Sequence, residues 1–180
     1  MGESEEKPMR EMVPEPLTAE AFAPFGRVIE ASDAAVKIAI NQGHAVRYDA
    51  LAQVDVADEG GVPVISIFRA QPLAELVLKT FERHPLGSQS FVPLSGRPYL
   101  VAVAPPGEFD PAAIRVFRAG GGQGVHYGKG TWHHFLLVLE ADTDFLVVDR
   151  AGPAENCDEV ELGGTNQSSI KVGARENSSH

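Results

Sequence analysis

The chain has 180 residues, 25 acidic and 15 basic, for a formal charge of -10. That length suits one domain with a sizeable core, and that acidity, with no Lys/Arg cluster, argues against a nucleic-acid partner. The single cysteine, Cys157, excludes an intrachain disulfide and a Cys-type structural zinc site. No apolar run reaches the ~20 residues that cross a bilayer and MGESEEKPMR carries no signal-peptide core, so no membrane partner and a cytoplasmic setting are expected.

Residues 1–13 are charged and aperiodic and read as a flexible tail. Leu17–Phe22 predicts a short helix with Thr18 as N-cap, stopped by Pro24 and Gly26. Strands are then expected at Arg27–Glu30, Val36–Ile40, Val62–Phe68, Leu76–Glu82, Gln89–Leu94, Tyr99–Ala104, Ile114–Arg118, His133–Leu139 and Phe145–Asp149. Each is rich in β-branched or aromatic residues and bounded by Gly, Pro, Asp or Ser. Residues 163–180 are polar and read as a second flexible tail, leaving one domain over 14–162. Many short strands with almost no helical periodicity predict a mainly-β sandwich or barrel able to enclose one small ligand.

Strand alternation sorts the candidate residues by face. Leu78, Thr80, Glu82 and His84 share one face if their strand runs on through Arg83, and Gln89, Phe91 and Pro93 share another. In GQGVHYGKGTWHHF (122–135) the neighbours His133 and His134 must point to opposite faces. The glycine-rich approach to that pair lacks the G-x-x-x-x-G-K-[ST] pattern and leads into a strand, so it predicts an entrance or lid and no phosphate loop.

Two spacings resemble the paired motifs of the cupins, which implies a cupin-like double-stranded β-barrel or jelly roll with few short helices. Glu82-Arg83-His84 stands at the H-x-H position, Gln89 at the glutamate position, and Gly96 closes the first motif. Gly122, Gly128, Gly130 and His133 fit the second, with Leu137 in place of its asparagine. The implied metal quartet is Glu82, His84, Gln89 and His133, a donor set suited to a divalent ion such as Ni or Mn, or else a site that has exchanged its metal for hydrogen bonding. No organic cofactor is expected.

Longer blocks resemble the ureidoglycolate lyase family. They are INQG (40–43), ISIFRAQP (65–72), FERHPLGSQSFVPLSG (81–96), VAVAPPG (101–107), QGVHYGKGTWHHF (123–135), DFLVVDRAG (144–152) and NCDE (156–159). Asp49, His126, Lys129 and Phe135 depart from the residues usual in that family. The resemblance implies elimination of urea from ureidoglycolate to leave glyoxylate, a step of allantoin and purine breakdown, in a homodimer. Such a reaction requires a base near pKa 7, a donor for the departing nitrogen and a cation for the substrate carboxylate. His84 and His133, with Glu82, are the catalytic candidates. Arg69, or alternatively Arg47 or Lys129, is the carboxylate clamp; Gln89 and Asn41 suit the ureido group, and Trp132 suits the pocket wall. The other readings are a metal-dependent cupin acting on another small hydroxy or keto acid, and a non-catalytic binding barrel.

Overall fold

A computed structural model describes residues 9–163 and 170–173 of the chain. Its elements in order are β1 (Arg10–Met12), β2 (Glu15–Pro16), α1 (Ala19–Phe22), β3 (Gly26–Ile29), β4 (Lys37–Ile40), β5 (Ala45–Tyr48), β6 (Val62–Ala70), β7 (Val77–Leu78) and β8 (Thr80–Arg83). Then follow β9 (Gln89–Pro93), β10 (Tyr99–Ala104), β11 (Arg115–Ala119), β12 (Gly124–Tyr127), β13 (Trp132–His134), β14 (Leu137–Val138), β15 (Thr143–Ala151), β16 (Asp158–Glu161) and β17 (Ile170–Val172). The architecture is mainly β, as expected, and is consistent with a cupin-like fold.

Two sheets enclose the site. One runs β16-β8-β13-β10-β11-β2, with β14 also on β10; the other runs β3-β12-β9-β15-β6. Strand β10 shows why the core has two halves, because all six of its residues are buried and they alternate. Tyr99, Val101 and Val103 join Phe22, Phe91, Phe117, Tyr127 and Phe145 in a first core cluster. Leu100, Ala102 and Ala104 join Phe81, Ile114, Trp132 and Leu137 in a second. The second cluster is covered by a small sheet, β1-β17-β7, which contributes Leu78, Ile170 and Val172.

The helix forms where predicted, and Thr18 Oγ1 accepts from Ala21 N at 3.1 Å. Its Phe22 is buried against Phe117 and Tyr127. Two expected strands are interrupted: Leu76–Glu82 breaks at Lys79, and His133–Leu139 breaks at Phe135 and Leu136.

The expected tails are partly structured. Arg10–Met12 pairs in parallel with Ile170–Val172, so segments from both ends of the chain build the small sheet. Buried Ile170 and Val172 fix it there, an apolar alternation within an otherwise polar stretch. The remainder of both expected tails, 1–8, 164–169 and 174–180, lies outside the described residues.

The expected glycine-rich lid is instead β12, a buried inner strand hydrogen-bonded to β3 and β9. Its glycines serve close approach, since a Cβ at Gly124 would stand 2.7 Å from the Phe91 carbonyl oxygen. Opposite it, a Cβ at Gly26 (φ +155°) would fall 1.8 Å from the His126 oxygen. That close pairing holds Tyr127 in the core.

Candidate functional site

The site is assembled by strand register. On β8 and β13, Glu82 and His133 are direct partners, so their side chains share a face. His84 follows two residues after Glu82 and returns to that face, as alternation predicts. Glu82 Oε1 lies 3.3 Å from His133 Nε2 and 3.7 Å from His84 Nε2.

Backbone carbonyls fix both rings. His84 Nδ1 donates to the Asn156 oxygen at 2.7 Å, and His133 Nδ1 donates to the Thr131 oxygen at 3.1 Å. Each Nε2 is buried and without a hydrogen-bond partner. The approach to Glu82 is therefore a convergence of lone pairs and a carboxylate without hydrogen-bond geometry. This is how metal-ligating histidines are oriented, with the distal N–H on a carbonyl and the other nitrogen free. His133 and then His84 hold the Glu82 carboxyl well below the usual carboxylate range, against the effect of its burial. For His84, burial opposes protonation, but Glu82 and the Asn156 carbonyl outweigh it and carry its pKa above the ordinary value. His133 also stacks on Tyr127, with centroids 4.4 Å apart and planes at 15°. Glu82, His84 and His133 thus form a group able to hold a metal ion.

A cavity of about 380 Å³ opens beside this group. Glu82, Gln89, Tyr127 and His133 form part of its wall, while Phe68, Arg69 and Gln71 at the end of β6 and Phe135 on the facing loop complete its lining. Gln89 is buried; its Nε2 donates to Asp149 Oδ2 at 3.3 Å, and its Oε1 has no partner. Arg69 is tied to Asp144 through Nε at 2.8 Å and Nη2 at 2.9 Å.

The profile of the ureidoglycolate lyase family matches residues 9–169. The chain belongs to the ureidoglycolate lyase family. A ureidoglycolate lyase from Burkholderia cepacia is 55% identical over 150 residues, covering 82% of this chain and 84% of the relative. One from Burkholderia mallei (strain NCTC 10229) is 52% identical over 155 residues, 86% of this chain and 91% of the relative. One from Pseudomonas putida (strain W619) is 50% identical over 153 residues, 84% and 91%.

Of the residues singled out in this family member, Glu82, His84, His133, Gln89 and Arg69 gather around one cavity. Four others do not. Trp132 takes the opposite face of β13, in the second core cluster, where its Nε1 donates to the Gly107 oxygen at 3.0 Å and Arg83 covers its ring at 4.6 Å. Alternation requires this once His133 faces inward. Lys129 binds Asp58 at 2.7 Å and Asp55 at 3.0 Å, and with His126 it borders a separate cavity. Asn41 and Arg47 sit on an exposed ribbon and line no part of the 380 Å³ cavity.

His134 turns from His133 as expected. It packs edge-on against Phe81, accepts from Lys79 N at 3.2 Å through Nε2 and donates to the Phe135 oxygen at 3.0 Å through Nδ1. Its ring borders the cavity, but both nitrogens are already engaged. Tyr127, Asp149 and the Asn156 carbonyl escaped sequence reasoning. A backbone oxygen leaves no trace in residue identity, and only the NCDE block drew attention to that segment.

Proposed function

We propose that this chain cleaves ureidoglycolate to glyoxylate and urea, the activity for which its relatives are named. The observation that carries the proposal is the convergence of Glu82, His84 and His133 on the wall of a small half-open cavity, with Gln89 beside them. The substrate carries a hydroxyl, a carboxylate and a ureido group on one carbon. Removal of the hydroxyl proton lets the C–O bond become a carbonyl while the C–N bond breaks and the urea nitrogen gains a proton.

His133 suits the proton transfer, because its Nε2 is free and the ionised Glu82 beside it stabilises the imidazolium formed. The proton taken from the hydroxyl passes to the departing nitrogen, so none is gained or lost overall. His84 orients Glu82 from its other side. Gln89, with an unpaired amide oxygen, suits the ureido N–H groups. Arg69 stands at the mouth with Nη1 outside its pair with Asp144 and contributes to holding the carboxylate.

Glu82, His84 and His133 also fit a divalent ion, Ni or Mn, since two buried imidazole nitrogens lack partners and face one carboxylate oxygen. When bound, such an ion polarises the hydroxyl and carboxylate oxygens of a hydroxy acid and lowers the hydroxyl pKa. Gln89 is a neutral and weaker fourth donor. The proposal includes a homodimer and a cytoplasmic location for the single domain over 14–162, extended by the flanking strands β1 and β17; no described helix is long and apolar enough to cross a membrane.

The test incubates purified protein with ureidoglycolate and follows glyoxylate, with and without added nickel or manganese. Glyoxylate production above the spontaneous rate is expected; its absence under every condition would sink the lyase reading. Full activity after chelation, in protein shown metal-free by elemental analysis, would exclude an obligatory ion.

A further inference from the structure

Strands β4 and β5 pair only with each other among the described residues. Their register sets Ile38 against Arg47 and Ile40 against Ala45, so Ile38, Ile40 and Arg47 share one face, while Ala39 and Val46 share the other. Neither face is covered: Ile38 is 41% exposed and Val46 is 54% exposed. A lone two-stranded ribbon is marginal in water, and this one presents β-branched apolar side chains to solvent. At its tip Asn41 (φ 52°) and Gln42 (φ 58°) turn the chain through the left-handed region.

The same chain leaves a second apolar surface open. Strand β6 is the edge of its sheet, with no strand on its outer side along Val62–Ala70. Ile65 and Ile67 point away from the core and are 72% and 56% exposed. Across the sheet they stand beside Val148 and Leu146, and Leu146 stands beside Val92, which makes an apolar stripe on the outer face. Folds normally cover a long apolar edge of this kind.

This edge runs into the mouth of the 380 Å³ cavity, where Phe68, Arg69 and Gln71 lie. Arg69, the only Lys or Arg in that lining, is already clamped on Asp144. With Glu82 ionised in the wall, an anionic substrate finds little free positive charge there. The ribbon carries what is missing. Residues 37–48 include Lys37, His44 and Arg47 and no Asp or Glu, in a chain of net charge -10. Arg47 lies against Asp49 without a hydrogen bond and its side chain is 61% exposed.

We propose that a second copy of this chain covers the stripe, each copy laying its ribbon along β6 of the other, with Ile38 and Ile40 on Ile65 and Ile67. The ribbon tip then brings Asn41 and Arg47 of one copy to the cavity mouth of the other, and each site is completed across the interface. A second copy is the fitting occupant because the open ribbon and the open stripe belong to one chain. A single two-fold contact buries both, twice over, whereas a foreign partner on either surface would leave the other bare. The interface stands on these exposures alone; the role of Asn41 and Arg47 at the mouth rests on the lyase reading.

Cross-linking tests the placement without relying on activity. In a Cys157→Ser background, Asn41→Cys combined with Gln71→Cys should give a covalent dimer on mild oxidation, seen on a non-reducing gel, and neither cysteine alone should do so. Absence of that dimer, or a link within one chain, overturns the placement. By light scattering, Ile65→Glu with Ile67→Glu should convert a dimer to a folded monomer; an intact dimer overturns the interface. For the composite site, Arg47→Ala and His133→Ala chains are each expected to be nearly inactive alone. Refolded together, they should recover about a quarter of wild-type glyoxylate production, because about half of random dimers are mixed and each mixed dimer holds one complete site. No recovery refutes the shared site. If wild-type protein yields no glyoxylate, the lyase reading fails, while the cross-link and the scattering still decide the interface.

Discussion

Replacing His134 by alanine separates a structural histidine from its reactive neighbour. In the folded protein His134 satisfies Lys79 N at 3.2 Å and packs edge-on against Phe81 at 5.8 Å. Leaving that part-buried N–H without an acceptor costs about 1–3 kcal/mol, and the vacated space beside Phe81 adds on the order of 1 kcal/mol. A total near 3 kcal/mol corresponds to a fall in Tm of roughly 6–12 °C for a chain of this size. The pH dependence supplies an independent mark. Burial, outweighing the Phe135 carbonyl, pushes the His134 pKa down from 6.5 to about 4. The unfolded chain therefore binds a proton below 6.5 that the folded chain refuses, so the stabilisation is full above that value and is lost as pH falls towards 4. A fall from 6.5 to about 4 is worth about 3 kcal/mol at its full extent. About 2 kcal/mol of it is lost by pH 5. Urea denaturation of wild type and His134→Ala at pH 7.5 and pH 5 should show the stability gap shrinking by about that amount, with specific activity of the folded variant largely kept at pH 7.5. A variant that keeps its Tm but loses turnover would refute the reasoning and exchange the roles of the two histidines.

Three further outcomes are expected. His133→Ala and His84→Ala should each lower kcat/KM by about 100-fold or more while circular dichroism and Tm stay close to wild type; near-normal turnover in either removes that residue from the chemistry. Glu82→Gln should abolish high-affinity nickel or manganese uptake measured by calorimetry, and uptake equal to wild type would place the ion elsewhere. Trp132→Phe should leave KM for ureidoglycolate unchanged and cost about 1–2 kcal/mol in urea denaturation through lost contacts in the second core, whereas a raised KM at unchanged stability would return Trp132 to the cavity.

Period-two alternation made the inner site legible in the sequence. It separated Glu82 and His84 from Arg83, and His133 from its two neighbours, and the strand register brings the two sets together. The same rule also contained the correction for Trp132, which cannot share a face with His133 in regular strand. Composition misled at β12, where Gly124 and Gly128 suggested a mobile lid. In the fold Gly124 permits close approach of neighbouring backbones, and Val125, His126 and Tyr127 between the two glycines are buried. Asn41, Arg47 and Lys129 were chosen for chemistry that many surface residues share, and nothing in their spacing records which wall they line. The small sheet escaped because its strands are three residues long or less and join segments near opposite ends of the chain.

The amide at position 89 follows from the charges around it. Gln89 is buried between Glu82 on the cavity wall and Asp149, to which its Nε2 donates at 3.3 Å. A glutamate here would set a second carboxylate against Asp149 in a site already holding the ionised Glu82. Burial and like charge would together oppose its ionisation, and any charge it kept would repel the carboxylate of an anionic substrate. A neutral amide avoids both costs. It donates to Asp149 on one side and presents an unpaired oxygen on the other, which leaves Glu82 as the one carboxylate facing the two imidazoles. The departure from a four-ligand cupin pattern is thus consistent with a cavity shaped to admit an anion, with acidity restricted to the group that holds His84 and His133 in place.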